Sequence, residues 1–325
     1  MKRFLRVLLL FMSPIAFLLG FYVFDDPFML FWPNEQLFDS YARKNCVNDA
    51  YRGIRWMNQY ADSLHYNSFI IGSSRSDFYY VDEWMRYLDE DASCFHFNQS
   101  GDNLIGTVQR VDWLYKRFDR IDNILFVMDV EYLEDMTEHK GHLFRQPWQV
   151  TGEWDFFAFN MEFVRAFYSI DYQKQLLGIN DRDSILPYYI IPQSNEVHKD
   201  AAEHMLDSFP DVYYSMLPLE YRLYERPSTE KVARPVIGND QIVALNKLRQ
   251  MLMDGHSDYR IVISPLYNQI ALNEKDFDIL CSIFDKDKVF DFSGKNEFTD
   301  NVLNYYECSH YRPQLCNIIL KTIYD

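Results

Sequence analysis

The stretch Ser68-Phe69-Ile70-Ile71-Gly72-Ser73-Ser74-Arg75-Ser76 decides the fold. Its first half is a short apolar run, which reads as a buried strand. Its second half is a polar turn opened by glycine. More than 200 residues later stands Glu307-Cys308-Ser309-His310-Tyr311-Arg312-Pro313, followed by a helix-like segment. A serine in a tight turn after a strand, with a histidine preceded at three residues by a carboxylate, supplies the parts of a Ser–His–acid triad.

The surrounding pattern is α/β. Upstream, Tyr51, Ile54, Met57 and Ala61 recur at helical spacing over about 48–61. Downstream, Cys94-Phe95-His96-Phe97 reads as a second strand, ending in Asn98-Gln99-Ser100-Gly101. Leu104, Ile105, Val108, Val111, Leu114, Tyr115 and Phe118 mark an amphipathic helix. Ile124–Met128 is a third apolar strand. A second block begins near Asp240, with Ile242, Leu245, Leu248, Met251 and Leu252 on one helical face. Ile261–Ser264 follows as a strand, then a helix over about 272–284, a short strand Val289–Phe292, and a last helix from Pro313. Strands alternating with helices predict a parallel sheet covered on both faces. Residues 133–237 break the pattern, being rich in aromatics, proline and charge. They read as an insertion folded over the C-terminal edge of the sheet, where open α/β sheets bind ligands.

The first 24 residues form a separate unit. Lys2, Arg3 and Arg6 precede an uncharged stretch from Val7 to Phe24, 18 residues long and just sufficient to span hydrocarbon. The basic flank predicts a cytoplasmic N-terminus with the rest translocated. Aromatic residues from Phe21 to Trp32 cluster at the exit, as at a membrane interface. A cleaved signal peptide is the alternative, but Phe21-Tyr22-Val23-Phe24-Asp25-Asp26-Pro27 lacks the small residues of a cleavage site. Residues 25–64 are expected to be an extended, aromatic-rich stalk to about 47, then the first helix. Residues 65–325 are expected to form the globular domain.

The chain carries 32 basic against 48 acidic side chains, a net charge of −16. That excess argues against a nucleic-acid partner, whose phosphates demand Lys and Arg. Five cysteines, Cys46, Cys94, Cys281, Cys308 and Cys316, are too few and too scattered for a small disulfide framework. A local Cys308–Cys316 disulfide and buried free thiols both fit the spacing. His139 and His142, near Glu138, sit in a polar loop and read as solvated rather than metal-binding. No Walker or dinucleotide loop is present, and no cofactor is expected.

Ser74 stands after the strand-terminal Gly72, so the turn can present its hydroxyl above the sheet. Ser73 or Ser74 could equally serve as an N-cap. Glu307 can hold the His310 tautomer that accepts a serine proton.

The order Gly-x-Ser after strand one, Asn98-Gln99-Ser100-Gly101 after strand two and Glu307-x-x-His310 before the last helix resembles the SGNH/GDSL hydrolase superfamily. Asp291-Phe292-Ser293-Gly294 and Arg312-Pro313 are similar to those of membrane-anchored bacterial members. The resemblance covers roughly 65–132 and 238–325. It implies a flavodoxin-like three-layer fold with sheet order 2-1-3-4-5. It implies Ser74 as nucleophile, His310 as base, Glu307 as orienting acid, and the backbone N–H groups of Ser74 and Gly101 as oxyanion donors. It also implies O-acyl, chiefly acetyl, chemistry on a cell-envelope glycan, at the bacterial inner membrane, beside a membrane-bound O-acyltransferase. Two positions depart from the family. Glu307 replaces aspartate. Val127-Met128-Asp129 replaces Gly-x-Asn, whose amide donates to the oxyanion. An ionised aspartate only accepts, and a lost oxyanion donor costs about 2.7–4 kcal/mol of barrier. A non-catalytic envelope binding or assembly protein that keeps the fold is therefore the rival expectation. Arg75 and Asp129, just past the ends of neighbouring strands one and three, are expected to pair and neutralise that charge. Asn98 is a further candidate modulator.

Overall fold

The structure is a computed structural model that describes residues 1–32, 47–176 and 186–325. Cys46 and most of the expected stalk lie outside the described residues. Five strands form the central sheet: β1 (Ser68–Gly72), β2 (Cys94–His96), β3 (Asn123–Met128), β4 (Asp258–Ile263) and β5 (Val289–Asp291). They are all parallel, in the order β2-β1-β3-β4-β5. Ser68 stands opposite both Cys94 and Asn123, and Met128 opposite Ile263, so the C-terminal ends of β1, β3 and β4 line up along one edge.

The continuous apolar runs are explained by burial on both faces. On one face, Phe69, Ile71, Phe126 and Ile261 pack against three helices, Asp49–Leu64, Leu104–Arg117 and Asn239–Asp254, through Ile54, Leu114 and Leu248. On the other, Ile70, Leu125, Val127 and Val262 pack against Trp84 and against Leu315, Ile319 and Leu320 of the last helix, Pro313–Tyr324. Burying each such side chain contributes about 1.5–3 kcal/mol. Gly72 is required where β1 ends: a Cβ there would lie 2.8 Å from the Val127 carbonyl oxygen and 2.9 Å from the Ser76 side chain.

The N-terminal helix, Lys2–Asp25, is 24 residues long and apolar enough to cross a membrane. Its most apolar window is only 6% buried, unlike the core helix of a soluble domain.

Residues 27–32, the described start of the expected stalk, are not extended. Residues 27–32 form turns held by Asp26, whose carboxylate accepts the N–H groups of Leu30, Phe31 and Trp32 at 2.7, 3.0 and 2.9 Å. Phe28 and Leu30 are buried against Phe159, Phe163 and Tyr172. The aromatic residues find an apolar partner some 130 positions away, and burial outweighs extension.

The insertion covers more than the C-terminal edge. Residues 137–146 do lie over the loop that follows β2: the Asn103 amide donates to the Thr137 carbonyl at 2.7 Å and the Gln146 amide to the Asp102 carboxylate at 2.7 Å. A hairpin of Tyr189–Ile191 and Glu196–His198 shields the open edge of β2. There the His96 N–H donates to the Ser194 carbonyl at 2.8 Å, and the Asn195 amide to the His96 carbonyl at 2.8 Å. Covering a sheet edge removes a template for unwanted pairing. Helix Asp200–Ser208 packs on the last helix, where buried Arg312 reaches Glu203 at 2.7 Å and Asp207 at 2.6 Å.

Cys94, Cys281, Cys308 and Cys316 are free thiols, so the conceivable Cys308–Cys316 bridge is not formed. Cys316 is buried in the last helix, and Cys308 lies on the other side of the histidine hairpin near the Glu220 carbonyl.

Candidate active site

The two serines of the β1 turn divide the work. Ser73 is the cap: its hydroxyl accepts the Arg75 N–H at 3.3 Å and opens the single 3-10 turn Ser74–Ser76. Ser74 is thereby left free of capping, and its hydroxyl points to His310. The Ser74 Oγ to His310 Nε2 distance is 2.9 Å.

Glu307 and His310 are brought together by a tight hairpin. Residues Tyr305–Glu307 pair antiparallel with His310–Tyr311, and Glu307 stands directly opposite His310. One Glu307 oxygen bonds His310 Nδ1, and the other accepts the Ser309 N–H at 2.6 Å. With Nδ1 donating to Glu307, Nε2 is the acceptor for the Ser74 hydroxyl. The extra methylene of glutamate is accommodated because the carboxylate approaches across the hairpin. Burial alone would raise the Glu307 carboxyl. His310, the Ser309 N–H and Lys199 outweigh it and hold Glu307 below the usual range.

Gly101 follows β2 with φ of +60°, a left-handed conformation that favours glycine. A Cβ there would lie 3.0 Å from the Phe144 ring of the insertion. Among the described residues, neither the Ser74 nor the Gly101 N–H is spent on a hydrogen bond. Both remain available to an anionic oxygen.

Arg75 and Asp129 pair at 2.6 Å across β1 and β3, and Arg75 also reaches Glu131 at 2.7 Å. Asp129 is buried and its second oxygen accepts the Tyr132 N–H at 3.1 Å, capping helix Val130–Glu134. Burial would lower the Arg75 guanidinium, but Asp129 and then Glu131 outweigh it and hold it above its ordinary range. Asn98 does not face Ser74. Its amide donates to the Asp77 carboxylate at 2.5 Å, while its carbonyl oxygen is buried without a partner.

Sequence reasoning missed two groups. Lys199, from the insertion, places its ammonium 4.9 Å from the Phe78 ring and 5.0 Å from the Tyr306 ring. Burial pushes Lys199 below its usual range, against the pull of Glu307 and Asp77. Burial, and then the Asp49 carboxylate, push Asp77 well above the carboxylate range. Nothing in the local pattern marks Lys199, since only the tertiary fold brings it to the triad. The other is a second serine–histidine contact, Ser76 Oγ to His96 Nε2 at 2.9 Å. It is fully buried, and among the described residues His96 Nδ1 has no partner and no carboxylate bonds the ring.

His139 and His142 do not converge. His139 Nε2 bonds Asp135 at 2.6 Å, whereas the His142 ring packs, tilted by 55°, with its centroid 4.9 Å from that of Phe28. His142 is thus packed rather than solvated, and burial lowers its basicity.

A cavity of about 420 Å³ opens beside the Arg75 pair, lined among others by Val130, Glu131, Lys231, Arg234 and Leu266. No protein-family model matches the chain, and no curated protein matches it at a significant level.

Proposed function

We propose that this chain is an extracytoplasmic serine-dependent acyltransferase or esterase, held in the bacterial inner membrane by its N-terminal helix. The observation that carries the reading is the continuous relay Ser74–His310–Glu307, with Ser74 Oγ 2.9 Å from His310 Nε2. Ser74 Oγ attacks the acyl carbonyl carbon and forms the new C–O bond. His310 takes the hydroxyl proton and returns it to the departing oxygen as the old ester C–O bond breaks. A sugar hydroxyl or water then attacks the acyl-serine, giving up its proton to His310, and Ser74 is regenerated. Glu307 holds the imidazole and stabilises its charged form. The N–H groups of Ser74 and Gly101 receive the oxyanion, and Arg75 neutralises Asp129 beside it.

The substrate class follows from the resemblance: O-acyl, chiefly acetyl, groups of an envelope glycan. The cavity beside Glu131, whose lining mixes Lys231, Arg234 and Asn268 with Val130, Val236 and Leu266, supports a sugar-sized acceptor there. Exposed Phe209, Val212, Met216 and Leu219, near the Cys308 loop, support an apolar protein partner such as a membrane-bound O-acyltransferase.

The test is labelling of the detergent-purified full chain with a fluorophosphonate, with the modified residue mapped. Labelling confined to Ser74, and lost in Ser74→Ala and in His310→Ala, supports the reading. A folded protein that takes no label points instead to a non-catalytic envelope binding or assembly module.

A further inference from the structure

The insertion helix Phe156–Phe167 carries two apolar stripes. Phe159, Phe163 and Phe167 are buried against Tyr22 and Phe28 at the exit of the N-terminal helix. A second stripe, Phe157, Met161, Val164 and Tyr168, recurs at helical spacing: Phe157 and Tyr168 are exposed, and Met161 and Val164 between them are half-buried, Val164 also touching the first stripe's cluster. Phe157 is 73% exposed, and Trp154 before the helix and Ile170 after it are 74% and 73% exposed. An ordinary surface helix keeps one apolar face and a polar opposite. Large rings left in water on a second face mark an interaction surface.

The place of this surface identifies its occupant. The Tyr168 hydroxyl donates to the Leu18 carbonyl of the N-terminal helix at 2.6 Å. The Phe167 ring lies 5.9 Å from Phe21 and 5.3 Å from Tyr22. The Tyr168 end of the stripe is therefore level with the last two turns of the apolar helix, where Leu18, Phe21 and Phe24 are themselves exposed. Trp and Tyr are the residue types that favour the headgroup boundary. Arg165 and Lys174, both exposed, can extend their charges outward from the same segment.

We propose that Trp154–Ile170 is a membrane-interface platform, its second apolar stripe seated at the acyl–headgroup boundary of the bilayer that the N-terminal helix crosses. The proposal rests on reading that helix as a retained anchor. The net charge of −16 makes anionic lipid an unfavourable surface, so apolar burial into neutral lipid supplies the attraction. Phe28 packs on His142, whose carbonyl accepts from the Asn48 amide at 2.9 Å, and Phe144 from the same loop lies against Gly101. Two packed links thus join the anchor exit to the loop that lies against Gly101.

The experiment uses the full chain reconstituted in phosphatidylcholine vesicles whose acyl chains carry bromine, a contact quencher of tryptophan. Trp32 is half exposed and contributes in every variant, so the wild type is compared with Trp154→Phe. The platform requires a quenched component in the wild type that is absent from Trp154→Phe. That component should fall at least twofold in Phe157→Glu/Ile170→Glu, which alters exposed positions only and retains Trp154. Equal quenching in the wild type and Trp154→Phe, in vesicles that hold the chain through an alkaline wash, overturns the platform and leaves the anchor standing. A chain removed by the wash overturns the anchor and the platform together. Trp154 shielded from bromine in a cross-linked dimer assigns the stripe to a second copy and also overturns the proposal.

Discussion

The Arg75 guanidinium lies 2.6 Å from the Asp129 carboxylate, joining the turn after β1 to the end of β3. Asp129 is nearly fully buried, and among the described residues Arg75 is its ion-pair partner. Removing one member of a buried pair leaves an uncompensated charge, which costs more than removing both. Arg75→Met is expected to lower stability by about 3 kcal/mol and to weaken serine labelling. Asp129→Asn in that background should recover most of both, since asparagine retains the cap to Tyr132 and carries no charge. A double-mutant cycle read by chemical unfolding and by labelling measures this. Simple additivity of the two substitutions would sink the neutralisation argument.

Much of this edge is legible in the sequence because its pieces are local. Ile70-Ile71-Gly72 ends a strand by composition alone, and Glu307 and His310 meet across a hairpin although only three positions apart. The Arg75–Asp129 pair follows from strand order, because neighbouring parallel strands end at the same edge. What was not legible depends on distant partners. Phe28 looks like a stalk residue until Phe163, in the insertion, buries it. Ser73 and Ser74 are equivalent as text, and only the backbone turn decides which one caps. Lys199 and the β2-edge hairpin belong to an insertion without periodic pattern. Asn98 looks like a site residue by position, but the half-buried carboxylate of Asp77 claims its amide.

Gly101 offers a separate test of the oxyanion assignment. Alanine pays about 1–2 kcal/mol for the left-handed conformation. Its Cβ would also press on the Phe144 ring, 3.0 Å away, although Phe144 is half exposed and can swing aside. Gly101→Ala is expected to fold with a stability loss in that range, yet to lose at least tenfold in labelling rate as its N–H turns from the site. Adding Phe144→Ala removes the crowding but not the backbone strain, and should restore neither stability nor rate. Recovery of both would show that crowding, rather than the aimed N–H, explains the defect.

Lys199 is expected to act on pH dependence through Glu307. Its ammonium helps hold the Glu307 carboxyl below the usual range, behind the larger effect of His310. A depressed carboxyl contributes stability above its unfolded pKa, about 4.3, which is lost as pH falls through the folded value. Lys199→Met removes part of the depression, so Glu307 should protonate at higher pH. The acid limb of serine labelling should move upward, with the plateau rate near neutral pH reduced less than twofold. An unmoved limb in a stably folded Lys199→Met protein would refute the coupling.

His96 repeats the serine–histidine contact in a place where it cannot serve chemistry. Burial lowers His96 from 6.5 to about 3, with Arg110 and Arg52 adding to the effect and Glu196 opposing it. The folded protein therefore keeps His96 neutral, while the unfolded chain takes up a proton below about pH 6.5. Between about pH 6.5 and 3 the unfolded state binds more protons, so stability must fall as pH falls. The loss from this residue is about 2 kcal/mol by pH 5, at about 1.4 kcal/mol per pH unit. His96→Asn can keep a polar contact to Ser76 without titrating, and should unfold with a correspondingly shallower pH slope. Fluorophosphonate should leave Ser76 unmodified throughout, because its histidine is enclosed and unsupported by a carboxylate. A variant with the wild-type slope, or label found on Ser76, would show that the buried pair is open to solvent and would reopen the choice between the two serines.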